Sequence, residues 1–191
     1  MSAPLAELFS SKVRAAVLAH LLPRPHLGFG LTDLSRLLGL PISSLQHECY
    51  KLTRIGLLKD ARDGAVRHYR PNPGFPLLEP LTALVLRDLD LGVGLRAATE
   101  GVGGIEVAFA TTPPNPAVPP VVVVVAVLEV ETLDALLARA SAVFAAHGKP
   151  APELAFFPPA DWRARFGAGN PLVRSLLASP RIPLAGGPGE P

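Results

Sequence analysis

The chain predicts an α+β protein in two parts: a helix-turn-helix with a β-hairpin wing, then a small α/β domain. Three observations carry that prediction. Residues 31–70 read as helix, turn, helix and two-stranded hairpin, in that order. Charge is unevenly divided. Residues 1–73 hold ten Lys and Arg against five Asp and Glu, a net of +5, whereas residues 74–191 hold eight against eleven, a net of −3. From residue 105 onward, apolar strand-like runs alternate with amphipathic helical ones, as in a small sheet covered by helices.

The elements follow in order. Residues 3–22 read as one helix, with Leu5, Leu8, Phe9, Val13, Ala16, Val17, His20 and Leu21 inward. Pro23 opens a loop, and Phe29 starts a short strand placed to pair with a wing. Thr32 or Asp33 can cap a helix carrying Leu34, Leu37 and Leu38, and Gly39 ends it by taking a positive φ. Pro41 starts the next helix, over 42–55, with Ser43 or Ser44 as cap. Leu45, Cys49 and Leu52 recur there at i, i+4 and i+7 as one apolar stripe. Gly56 stops this helix, Leu57 and Leu58 begin a strand, Asp63-Gly64 signals a hairpin turn, and 65–69 returns. Pro71-Asn72-Pro73-Gly74 closes the module.

Residues 74–101 read as a helical connector, with helices over 77–89 (Leu78, Leu81, Leu84 and Val85 on one side) and 91–99. The domain over 102–186 then has a strand at 105–111 and a proline-rich loop. The valine run at 121–130 suits a strand buried on both faces. A helix over 131–147, a strand at 154–157, helices at 159–166 and 170–178 and a last strand at 182–184 complete it, before a flexible tail at 187–191.

Chemistry concentrates on the helix over 42–55. Opposite its apolar stripe stand Ser43, Gln46, His47, Tyr50, Lys51 and Arg54, with Ser44 near the helix start. This face offers hydroxyl, amide, imidazole, phenol and cationic groups and no aliphatic side chain, which is what reading base edges and holding phosphates requires. Gln46 suits adenine, with His47 beside it, while Lys51, Arg54 and the wing residues Arg62, Arg67 and Arg70 suit phosphate. The plainer reading of the same residues is a solvated helix face.

Several classes of site are excluded or disfavoured. Cys49 is the only cysteine, so neither an intrachain disulfide nor a cysteine-based zinc site can form, and its place on the apolar stripe suits a core residue. Five histidines are scattered without ligand spacing, and no metal or cofactor is expected. The apolar run 117–128 contains two prolines and is too short to span a bilayer as a helix. The first residues lack the order of a signal peptide, and a cytoplasmic, bacterial nucleoid-associated protein is expected.

The chain resembles bacterial regulators in which an ArsR/MarR-like winged helix precedes a nucleotidyltransferase-like domain. In the first half the resemblance rests on LFSSKVRAAVLAHLL, LTDLSRLLGLPISSLQHECYKLTRIGLL and RDGAVRHYRPNP. In the second it rests on GIEVAFA, the valine strand, FFPPADWRARF and NPLVRSLLASPRIPLAG. It implies a dimeric transcriptional regulator that binds double-stranded DNA. It also implies a Gly-Ser motif after the first strand of the second domain, to grip a triphosphate, and Asp-x-Asp on the next strand, to hold Mg²⁺. This sequence has ATTPPNPAVPP and VVVVVAV there, and no carboxylate from Thr111 to Leu128. Glu129, Glu131 and Glu153 come too late and are expected to be solvated. The second domain is therefore expected to be non-catalytic, serving dimerisation or ligand sensing, with a small-molecule effector left open. A nucleotidyltransferase with a diverged site, and an architectural protein binding DNA without sequence choice, stand as alternatives.

Overall fold

The computed structural model describes residues 3–64, 66–115 and 117–186. It is mixed α+β, with two small sheets, and divides into two compact units, Met1–Leu89 and Asp90–Pro191. The stretch 74–101, read as a connector, is shared between them at residues 89 and 90. Ala65, expected in the returning strand, and the expected tail at 187–191 lie outside the described residues.

The first unit begins with α1 (Ala3–Leu8) and α2 (Lys12–Leu21) in place of the single helix expected. Ser10 takes a φ of 51° and Ser11 caps α2, its hydroxyl accepting from the Arg14 amide at 3.1 Å. This local hydrogen bond competes with helix continuation, and the break leaves Leu8 exposed instead of inward. A two-residue strand β1 (Phe29–Gly30) leads into α3 (Leu31–Leu38). Gly30, rather than Thr32 or Asp33, occupies the N-cap of α3. Gly39 closes it at φ 65°, and Leu37, expected inward with Leu34, is exposed.

Gly39–Pro41 turns the chain into α4 (Ile42–Arg54). Pro41 stands one position earlier than expected, at the N-cap. Ser43 and Ser44 lie within the first turn and do not cap the helix. Gly56, at φ 84°, carries the chain into β2 (Leu58–Asp63), and β3 (Val66–Pro71) returns antiparallel to it. Asp63 pairs with Val66 across the hairpin, and Gly64 takes a φ of 58°. Phe29 and Gly30 pair with Tyr69 and His68, giving the sheet order β1-β3-β2.

Helix α5 (Leu78–Asp88) belongs to the same unit and turns Leu78, Leu81 and Val85 to its core, with Leu84 directed outward; Leu89, just past its end, packs on the same core. That core joins Ala15, Leu18 and Leu21 of α2, Leu34 of α3, the α4 stripe, Leu57, Leu58 and Tyr69.

In the second unit α6 (Leu91–Thr99) is capped by Asp90, whose carboxylate accepts from the amides of Gly92 and Val93. Strands β4 (Ile105–Thr111), β5 (Val121–Ala126), β6 (Glu153–Phe157) and β7 (Arg181–Ala185) form a sheet of order β6-β5-β4-β7. Only the β5–β6 pair is parallel, joined across α7 (Val130–Ala146). Val122 to Ala126 are all buried, as a two-sided interior strand requires. The run ends earlier than expected, with Val127 and Val130 exposed at the entry to α7.

Helices α8 (Pro159–Gly167) and α9 (Pro171–Ala178) cover one face. Trp162, Val173 and Leu176 pack there on Val107, Phe109, Val123 and Val125. Helices α6 and α7 pack on each other. Pro183, which cannot donate to a ladder, sits on the edge strand β7.

Candidate nucleic-acid interface

The inner face of α4 fixes what its outer face presents. Leu45, Cys49 and Leu52 are buried, as their spacing required. Glu48 is buried beside them, its Oε1 accepting from Arg14 Nε of α2 at 2.6 Å. Arg14 also donates to the Phe9 carbonyl. The helix is thus held by an apolar stripe and one charged strut. Burial, and then the Glu48 carboxylate, push the Cys49 thiol up to about 12, so it behaves as a core group.

With that face anchored, Ser43, Gln46, His47, Tyr50 and Arg54 are exposed, and Ser44 and Lys51 are half-buried. At 100° per residue, Ser43, His47, Tyr50 and Arg54 fall on one strip, while Gln46 and Lys51 border it on opposite sides. The side chains of Gln46, His47, Tyr50, Lys51 and Arg54 make no hydrogen bond or ion pair with another described residue. No side chain caps the N-terminus of α4, and its first turn has no carboxylate. Its leading amides therefore face an exposed end suited to an anion.

The hairpin is tied to the end of α4. Asn72 donates from Nδ2 to the Gly56 carbonyl at 2.7 Å, and its amide donates to the Leu57 carbonyl at 2.9 Å. These two bonds fix the base of β3 where α4 hands over to β2. Along the hairpin the three predicted arginines differ. Arg62 and Arg67 are register partners, and like charges placed opposite repel. Asp60 relieves this by pairing with Arg67 Nε at 3.2 Å, which ties up the one predicted cation that has an internal partner. Arg62 and Arg70 remain exposed and make no such bond among the described residues. They line a cleft of about 340 Å³ with His26, Gly28, Ala61 and His68.

Local pattern did not expose several contributors. Lys59 is an exposed cation in register with Arg70. His26 and His68, 42 positions apart, both line the cleft, with His68 placed there by the pairing of β3 with β1. Glu48 was hidden because its partner lies 34 residues away.

The second unit presents a smaller cavity of about 190 Å³, lined by Thr112, Val118, Phe144, His147 and Lys149 among others. Glu129, Glu131 and Glu153 are all exposed. Burial lowers the Arg139 pKa, and its Nε donates to the Ala98 carbonyl at 2.9 Å. Among the described residues no three His, Cys, Asp or Glu side chains gather as a metal site, and no helix is long and apolar enough to cross a membrane. Compared with protein-family models, curated proteins and solved structures, the chain matches none.

Proposed function

We propose that the first unit is a winged helix-turn-helix domain and that the protein is a DNA-binding transcriptional regulator. In this reading α4 enters the major groove, with Gln46 and His47 at base edges and Ser43, Ser44 and Tyr50 beside them. Lys51, Arg54, Arg62 and Arg70 hold phosphates, and Arg67 contributes less because Asp60 holds it. A homodimer is expected, since one recognition helix reads few bases and two copies read two half-sites. The second unit is proposed as a non-catalytic, nucleotidyltransferase-like domain serving dimerisation or ligand sensing. The lack of any carboxylate from Thr111 to Leu128 supports that part.

The observation carrying the proposal is the exposed strip Ser43, His47, Tyr50 and Arg54 on a helix whose opposite side is anchored, next to a hairpin bearing unpaired cations. A mobility-shift titration against genomic fragments, including the gene's own upstream region, tests it at physiological salt. Wild type retains a few fragments selectively, and a Gln46→Ala/Arg54→Ala variant loses them. Gln46→Ala alone costs about 1–3 kcal/mol at a matched site. Equal affinity for all fragments overturns sequence-directed regulation in favour of an architectural role.

A further inference from the structure

We infer that the cleft behind α4 is an effector site for a small amphipathic monoanion, whose occupancy withdraws Lys51 and Arg54 from DNA phosphate. The cleft measures about 330 Å³, at the lower end of the range for small-molecule pockets. Its floor is apolar, built from Phe9, Leu18, Leu52, Leu57 and Leu81. Four charged groups stand around that floor: Arg14, Glu48, Lys51 and Arg54.

The charges select the ligand. Glu48 is the single carboxylate, and it is already held by Arg14 at 2.6 Å. Lys51 and Arg54 have no side-chain partner among the described residues. With Glu48 neutralised by Arg14, the two remaining cations leave a positive rim over an apolar floor. A cationic ligand gains nothing there, and a neutral one leaves both free cations unused. An aliphatic or aromatic tail carrying one carboxylate fills both parts. The cleft lies on the Lys51 border of the α4 strip, so its rim and the proposed phosphate contacts share two residues. Bound anion and bound DNA then compete, and by linkage DNA weakens the anion's binding as much as the anion weakens DNA's. This regulatory step rests on the DNA-binding reading above; the anion site itself does not.

Octanoate is the probe, with octanol as its uncharged counterpart, titrated into the full chain by calorimetry. Octanoate binds about ten- to a hundredfold more tightly than octanol, the difference being the charge-assisted bonds to Lys51 and Arg54. Ile55→Trp blocks the cleft. Ile55 follows α4, lines the cleft and is 57% exposed, so the larger ring enters without disturbing the core. This variant loses octanoate binding and keeps DNA binding. In the mobility shift, saturating octanoate weakens wild-type DNA binding and leaves Ile55→Trp unaffected. Octanoate binding no tighter than octanol, or unchanged in Ile55→Trp, overturns the site. If octanoate fails to bind and Ile55→Trp instead alters the oligomeric state in sedimentation, the cleft seats a second copy of the chain and the inference falls. A chain that binds octanoate selectively but no DNA refutes the regulatory step and the DNA reading, and leaves the anion site standing. A chain that binds DNA but no octanoate refutes the inference alone.

Discussion

Replacing Arg14 by Met removes the one cation that, among the described residues, pairs with the buried Glu48, and its cost can be worked from the geometry. The Glu48 side chain is 6% exposed and that of Arg14 33%. Stripping the partner from a buried ion pair costs about 3–5 kcal/mol, because a charge is left without compensation. Arg14 lies at the mouth of a solvent-open cleft, so water replaces part of what it supplied, and a cost of about 2–3 kcal/mol is expected. Cys49 supplies the assay. It is the only cysteine, fully buried, one residue from Glu48 and on the same anchored face. A thiol reagent therefore reaches it only when the first unit opens. At pH 8 and low denaturant, Arg14→Met should label about 30- to 150-fold faster than wild type. Trp162, the only tryptophan, lies in the second unit, and its fluorescence transition should not move. Arg14→Met/Glu48→Leu, which removes both charges, should recover most of the loss. A labelling rate for Arg14→Met within threefold of wild type, or a double variant worse than the single one, would refute the argument that the pair anchors α4.

Four further outcomes are expected. Arg54→Ala and Arg62→Ala should each reduce the log–log salt slope of DNA binding by about 0.9, Arg67→Ala by less, and Asp60→Asn should tighten binding by freeing Arg67; titrations at three salt concentrations read this directly. The folded Cys49 thiol is raised from 9.0 to about 12. Between those values the unfolded state loses a proton that the folded state keeps. First-unit stability, undiminished by this group below pH 9, should therefore fall above it by up to about 1.4 kcal/mol per pH unit, a slope absent from Cys49→Ala in urea melts. Asn170→Ala, which removes the oxygen accepting from the Leu172 and Val173 amides, should cost about 1 kcal/mol in the Trp162 transition and leave Cys49 labelling unchanged. Gly39→Ala should cost about 1 kcal/mol for its φ of 65° alone, since nothing lies near the added carbon. Gly186→Ala should cost more, because there the new carbon meets the Glu106 carbonyl.

By itself the sequence determined what depends on neighbours a few residues apart. The stripe Leu45, Cys49 and Leu52, the stops at Gly39 and Gly56, the valine strand and the helix over most of 130–146 all follow from short-range periodicity and glycine's freedom at positive φ. The exposed face of α4 follows too, because anchoring one side of a helix decides the other. Boundaries were less faithful where two local solutions compete. Ser10 and Ser11 break a helix that periodicity carries through, and Gly30 caps α3 although Thr32 and Asp33 are better capping residues in isolation.

Only the tertiary structure decided the long-range pairings. The Arg14–Glu48 strut spans 34 positions, and the Asn72 bond to Gly56 spans 16. The sheet order β6-β5-β4-β7, with its single parallel pair, and the assignment of α5 to the first unit and α6 to the second are of the same kind. Such contacts are selected by the free energy of closing the whole core, which no window of sequence contains. The same applies to Arg67: its composition and position suit phosphate, but register across the hairpin delivers it to Asp60.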